Sequence, residues 1–165
     1  MATPISVVSN ASPLMNLAII GQLPLVAQLF GTILLPEDVW RELTLDGKGK
    51  PGCEAIEASP WIKVVKVENR ALVRLLSKDL DRGEAAAISL ALETKADLIL
   101  LDETDARDMA EIYQLKKTGV LGILIKAKRR GYISRLKPHL ERLRDEAHFW
   151  IRPSLWERVL KEVGE

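Results

Sequence analysis

With 165 residues, 47% of them apolar, the chain can bury one substantial core, and its length favours a single domain over 1–165. A net charge of +1 announces neither a polyanion nor a membrane as partner, and the single cysteine, Cys53, excludes a disulfide framework and suits a reducing, cytoplasmic setting. No apolar run approaches the roughly 18 residues of a membrane span, and the start "MATPISVV" lacks the basic and apolar regions of a secretory leader.

In chain order, the first predicted element is a buried strand over Ile5 to Ser9, β-branched and halted by turn formers. Ser12 and Pro13 read as N-cap and first residue of a helix that buries Leu14, Leu17 and Ala18. A second helix from Leu23 to Phe30 ends at Gly31, "TILLP" is a short strand, and Pro36 opens a helix carrying Val39, Trp40 and Leu43. Glycine, lysine and proline between Gly47 and Gly52 predict a loop, and "WIKVVKV" alternates as a half-buried edge strand does. Helices over 69–77 and 81–94 precede "DLILLD", a continuous apolar run of the kind buried on both faces. A helix through Ala106, Ala110 and Tyr113, a short segment near Gly119, and three amphipathic helices over 121–130, 136–146 and 154–163 complete the chain. Strand and helix alternating in this way predict an α/β fold with a central, mainly parallel sheet covered by helices on both faces.

Ligands of such sheets bind beyond the carboxyl ends of the strands. The polar residues that fall there are Asn10 and Ser12 after the first strand, Glu42 after the second, Glu84 in the turn opening the alanine-rich helix, and Asp102 with Asp105 after "LILL". They form no nucleophilic triad, but several oxygen donors in one cleft suit Mg²⁺ or Mn²⁺. Each has a plainer role as well. Asp81 with Glu84 fits a capping box, Asp102 with Asp105 has the same spacing, Ser12 fits an N-cap, and Glu42 fits a solvated helix face. The shared edge of one sheet is what favours a common site.

Charge is spread unevenly. From Asp81 to Glu111 acids outnumber bases nine to three, and from Lys116 to Arg144 bases outnumber acids ten to one. His139 and His148 are isolated and form no ligand pair; Trp40, Trp61, Trp150 and Trp156 fit core or interface positions better than base-stacking platforms.

In order and combination, "VVSNASPLMNLAIIGQLPLV", "LLPEDVWREL", "LDRGEAAAISLALETKADLILLDETDAR" and "KKTGVLGILIKAKRRGYI" resemble the PIN domain family, and in particular a subfamily of small prokaryotic PIN proteins. The resemblance runs from Val7 through the C-terminal helices. It implies a three-layer α/β/α fold and a metal-dependent endoribonuclease acting on single-stranded or structured RNA, often a VapC-like toxin held by an antitoxin, and a homodimer. It also implies site residues: Asn10, Glu84, Asp102 and Asp105 as metal ligands, Glu42 beside them orienting water, and Ser12 in support. Lys126, Lys128, Arg129, Arg130, Arg135 and Lys137 would then hold RNA phosphates next to an acidic cleft that otherwise repels them.

The departure is Asn10, an amide where the family pattern has an acid. Its oxygen can ligate Mg²⁺ but adds no charge, so a cation is held more weakly. That leaves an alternative on the same fold, a catalytically weakened PIN domain that binds nucleic acid or protein. Other doubly wound enzymes fit less well: dehalogenase-type phosphatases and receiver domains need an acid where Asn10 stands, and "SNASPL" has no glycine for a dinucleotide turn.

Overall fold

A computed structural model describes residues 5–165; the first four residues, part of the start read above for a leader, lie outside the described residues. Five strands form one sheet: β1 (Val7–Ser9), β2 (Ile33–Pro36), β3 (Ile62–Val65), β4 (Leu98–Leu100) and β5 (Lys117–Thr118). Their order is β3-β2-β1-β4-β5, and each neighbouring pair is parallel.

The helices that cover it are α1 (Ala11–Ile19), α2 (Pro24–Phe30), α3 (Glu37–Arg41), α4 (Cys53–Glu57), α5 (Arg70–Leu76), α6 (Arg82–Glu93), α7 (Thr104–Ile112), α8 (Val120–Arg129), α9 (Lys137–Asp145) and α10 (Pro153–Glu162). The architecture is three-layered, α/β/α. Side chains alternate across the strands, so Val7 and Leu100 join the core beneath α1, α2, α8 and α9, whereas Val8, Ile99 and Leu101 join the core beneath α5, α6 and α7. Burial on both faces is why "LILL" carries no polar alternation. Helix α6 lies on the sheet through Ala85, Ala86, Ala87 and Ala91, all fully buried, because only small side chains allow that approach.

Several local expectations change. Helix α1 begins at Ala11 with Asn10 in the N-cap position, so Ser12 and Pro13 lie inside the first turn rather than at its start. Proline is tolerated there because first-turn N–H groups have no helical partner. The helix after Pro36 is short and runs on into a π-helical turn, Glu42–Asp46. Helix α4 went unpredicted: five residues burying Cys53 and Ile56 are too few to show a period.

Asp38 clamps the layers. Its two carboxylate oxygens accept from Arg70 Nη1 and Nη2 at 2.9 Å each, and Arg82 Nε donates to Oδ2 at 2.9 Å, tying α3 to α5 and α6. The Arg70 bond, opposed by burial and assisted by Arg82, holds its pKa at about 2 against an ordinary 3.8. A depressed carboxylate pKa contributes stability that is present above the unfolded value and lost as pH falls through the folded one. Asp38→Asn should therefore cost about 1–2 kcal/mol near neutrality, discounted for the solvent reaching both arginines. Urea titrations of both proteins should show the gap closing below about pH 4.

Candidate active site at the carboxyl edge of the sheet

From β1 the chain moves to one side through β2 and β3, then returns to place β4 on the other side of β1. The order reverses between β1 and β4, and a crevice opens beyond their carboxyl ends. Asn10 leaves β1 at this point, its backbone N–H donating to Leu100 O at 3.1 Å. The residue is only 4% exposed, yet its side chain makes no capping bond, and Oδ1 is buried with no donor among the described residues. An acceptor desolvated without a partner is costly, of the order of 1–3 kcal/mol.

Around that oxygen the structure leaves room through a glycine. A Cβ built on Gly83 would stand 2.6 Å from Glu42 Oε2, 3.2 Å from Asn10 Oδ1 and 3.5 Å from Asp81 Oδ1. Three oxygens from three segments thus surround one spot that any larger residue would fill. Glu42 reaches it from the first position of the π-helical turn, an irregularity of the kind often kept at functional sites. Burial, then the charges of Asp81 and Asp46, raise the Glu42 pKa.

Glu84 follows Gly83 and is 6% exposed. The capping box is real: Asp81 Oδ1 accepts from the Glu84 N–H at 2.7 Å, and Glu84 Oε1 accepts from the Asp81 N–H at 3.0 Å. This fixes the Glu84 carboxyl at the site's wall. Burial, opposed by the Asp81 hydrogen bond and reinforced by the Asp81 charge, pushes its pKa to about 7. Beside it a cavity of about 300 Å³ is lined by Ser12, Asp79, Asp81, Glu84, Glu103, Thr104 and Asp105. Five carboxylates line it and no cation does.

Asp102 behaves differently. Its Oδ1 accepts from the Val120 N–H at 2.8 Å, capping α8, and its Oδ2 accepts from Asn16 Nδ2 at 3.1 Å on α1. It does not cap the helix that follows it, whose N-cap is Glu103. Burial raises its pKa, against the two hydrogen bonds. Asp102→Ala would strand both donors, and should lower stability by about 2–3 kcal/mol in urea denaturation. Each Asp102 oxygen keeps a lone pair beyond these bonds, as Glu84 does beyond its own. Asn10, Glu42, Glu84, Ser12 and Asp105 border the acidic crevice, and Asp102 stands at the end of β4 with its oxygens also accepting from Val120 and Asn16.

The basic segment is also displaced. Helix α8 starts at the carboxyl edge, directly after β5, and so its C-terminal turns with Lys126, Lys128, Arg129 and Arg130 lie at the opposite edge. Lys128 pairs with Glu165, as does Arg135, and Arg129 pairs with Glu162, while Lys126 sits over the Phe30 ring. The backbone N–H of Lys137 donates to Glu165 Oε1. These six residues do not stand beside the acidic crevice. Arg41 and Arg82, with 63% and 71% of their side chains exposed and paired with Glu37 and Asp38, line a cavity of about 420 Å³ with Glu42, Asp81 and Gly83, and Lys50 lies on the other side of Glu42.

The model of the PIN domain family matches residues 6–165 of the chain. The chain belongs to the PIN domain family. PIN domains are in general nucleases and typically use divalent metal ions. No curated protein matches the chain. Among the described residues no three His, Cys, Asp or Glu side chains converge on one point as a ready-made metal cage. The donor chemistry of this PIN domain nonetheless fits a hard cation: oxygen donors only, one of them an orphaned buried amide, around a space kept open by Gly83.

Gly83, Asp79, Asp81 and Glu103 are site residues that sequence reasoning missed. The sequence shows Asp81 only as a cap; the acid excess of 81–111 is the signal for Glu103, and Asp79 lies outside it. Among the described residues no helix is long and apolar enough to cross a membrane.

Proposed function

We propose that this PIN domain is a metal-dependent endoribonuclease acting on single-stranded RNA in the cytoplasm. The observation that carries the reading is the orphaned Asn10 Oδ1, facing Glu42 and Asp81 across the space at Gly83. Asn10, Glu42 and Glu84 would hold Mg²⁺ or Mn²⁺, with Asp105 and Ser12 on the neighbouring wall. When bound, the cation supplies Lewis-acid stabilisation of charge on the scissile phosphate.

The remaining work falls to the chain. Glu42, on the open side, would orient the attacking water from its place in the coordination shell. Arg41 and Arg82 at the mouth set positive charge against the flanking phosphates. The buried capping box keeps Glu84 from swinging away. An inhibitory antitoxin and a second copy of the chain are the protein partners this reading carries.

The amide at Asn10 favours a second reading, a PIN domain that binds RNA without cutting it. Cleavage of a mixed single-stranded RNA pool with Mn²⁺, Mg²⁺ or EDTA separates the two. Metal-dependent cutting by the natural protein, about tenfold faster in Asn10→Asp because a charged ligand holds the cation tighter, supports the nuclease. Cutting by Asn10→Asp alone supports the binding module, and cutting by neither removes the nuclease reading.

A further inference from the structure

We infer that the groove between β5 and α10 is the path along which single-stranded RNA leaves the acidic crevice, with Trp150 as a platform for an unpaired base. The inference rests on the nuclease reading for its direction and on separate residues for its substance. The groove encloses about 880 Å³ and carries Arg107, Lys117, Arg152 and Arg158 along its walls. Trp150, on the segment joining α9 to α10, is 77% exposed in it. This exposure excludes the core position that the sequence also allowed for Trp150; Trp40, Trp61 and Trp156 do pack against the core.

Continuity with the crevice is direct, since Thr104 lines both the carboxylate cavity and this groove. Charge changes sign on crossing it. Of the four cations, Arg107 donates to Leu101 O at 3.1 Å and Lys117 lies 3.5 Å from Glu111, whereas Arg152 and Arg158 are exposed and have no ion pair among the described residues. The groove's acids are already engaged: Asp102 in its two hydrogen bonds and Glu162 with Arg129 at 3.4 Å. A solvent-exposed aromatic beside unpaired arginines is how proteins hold single strands, phosphates on the cations and bases on the ring. The sequence-predicted basic cluster lies at the wrong edge for this task, and the groove supplies the cations that adjoin the crevice.

The test is anisotropy of a fluorescently labelled mixed-sequence single-stranded RNA in EDTA, where cleavage cannot contribute. Trp150→Ala should weaken binding roughly 5- to 100-fold, the range found for lost base stacking, with Trp150→Phe restoring most of it. Arg152→Ala combined with Arg158→Ala should weaken it and lower the slope of log affinity against log salt by about 1.4. Lys63→Ala with Lys66→Ala, which removes equal charge beside β3 at the other side of the sheet, should leave affinity within about twofold. Unchanged affinity in the groove variants, an equal loss in the Lys63 and Lys66 variant, or no RNA binding by the natural protein overturns the inference. So does a change of oligomeric state in the groove variants at constant RNA affinity, which would make the occupant a second copy. Cleavage is scored separately with Mn²⁺. Groove-dependent binding without cleavage upholds the path and sinks the nuclease, whereas cleavage with unchanged KM in the groove variants does the reverse.

Discussion

Glu84→Gln should give a protein more stable than the natural one at about pH 8, and unable to cut RNA. The Glu84 carboxyl titrates near about 7 in the fold against an ordinary 4.5, so the folded state favours its proton. A raised carboxyl pKa contributes stability that is full below the unfolded value and lost as pH rises through the folded one. Above about pH 7 the natural chain therefore carries a buried, ionised carboxylate at a cost, and glutamine removes the charge. The glutamine oxygen can still accept from the Asp81 N–H, so the capping box survives. The gain should be about 1–3 kcal/mol at pH 8 and vanish near pH 4, measured by urea denaturation. Cleavage should fall by at least about 100-fold, because the site loses a charged ligand. A residue that lowers stability where it is ionised is understandable at a functional site and hard to explain in a mere cap. No gain at pH 8 would mean that Glu84 is better solvated or paired than its burial indicates.

Gly83→Ala should separate the site from the fold even more sharply. Alanine is favoured over glycine in helices by up to about 1 kcal/mol, and Gly83 lies in the first turn of α6. The added methyl meets Glu42 Oε2 at 2.6 Å, and Glu42 is exposed enough to swing aside. The buried Asn10 Oδ1, 3.2 Å from the methyl, must give by a few tenths of an ångström, which offsets the helix gain, so the melting temperature should hold within a few degrees. The space between Asn10, Glu42 and Asp81 closes, however, and Mn²⁺ affinity and cleavage should both drop by about 100-fold, in line with the effect of small displacements on a positioned site. Retained metal affinity in a well-folded Gly83→Ala protein would place the cation elsewhere.

The parts legible in the sequence were those whose cause is local. The D-x-x-E box of Asp81 and Glu84 formed as its spacing required, and "LILL" became a strand buried on both faces. Asn10 fell at the first strand end, directly after β1, as the halt of the β-branched run required. The parts that were illegible depend on more than one segment. Gly83 looks like an ordinary helix-weakening residue until Glu42 and Asn10 arrive beside it from other elements. The π-helical turn at Glu42 leaves no periodic trace, and the loop-like stretch holding Trp150 has no period from which exposure can be read.

The basic cluster is a different lesson. Its charge was plain, but a helix following a parallel strand starts at the carboxyl edge and carries its last turns away from it. Ten residues at about 1.5 Å each put roughly 15 Å between the two ends of α8. Charge alone did not say which edge it served. Asp102 stands at the expected strand end, and its bonds to Val120 and Asn16, which tie it to α8 and α1, join segments distant in sequence.

The most direct measurement is anomalous diffraction at the manganese edge from crystals of the natural protein grown with Mn²⁺. A peak within coordination distance of Asn10 Oδ1, shared with Glu42 and Glu84, is the predicted result. A peak held by Asp102 without Asn10, or no peak at this edge of the sheet when Mn²⁺ saturates the crystal, would contradict the account.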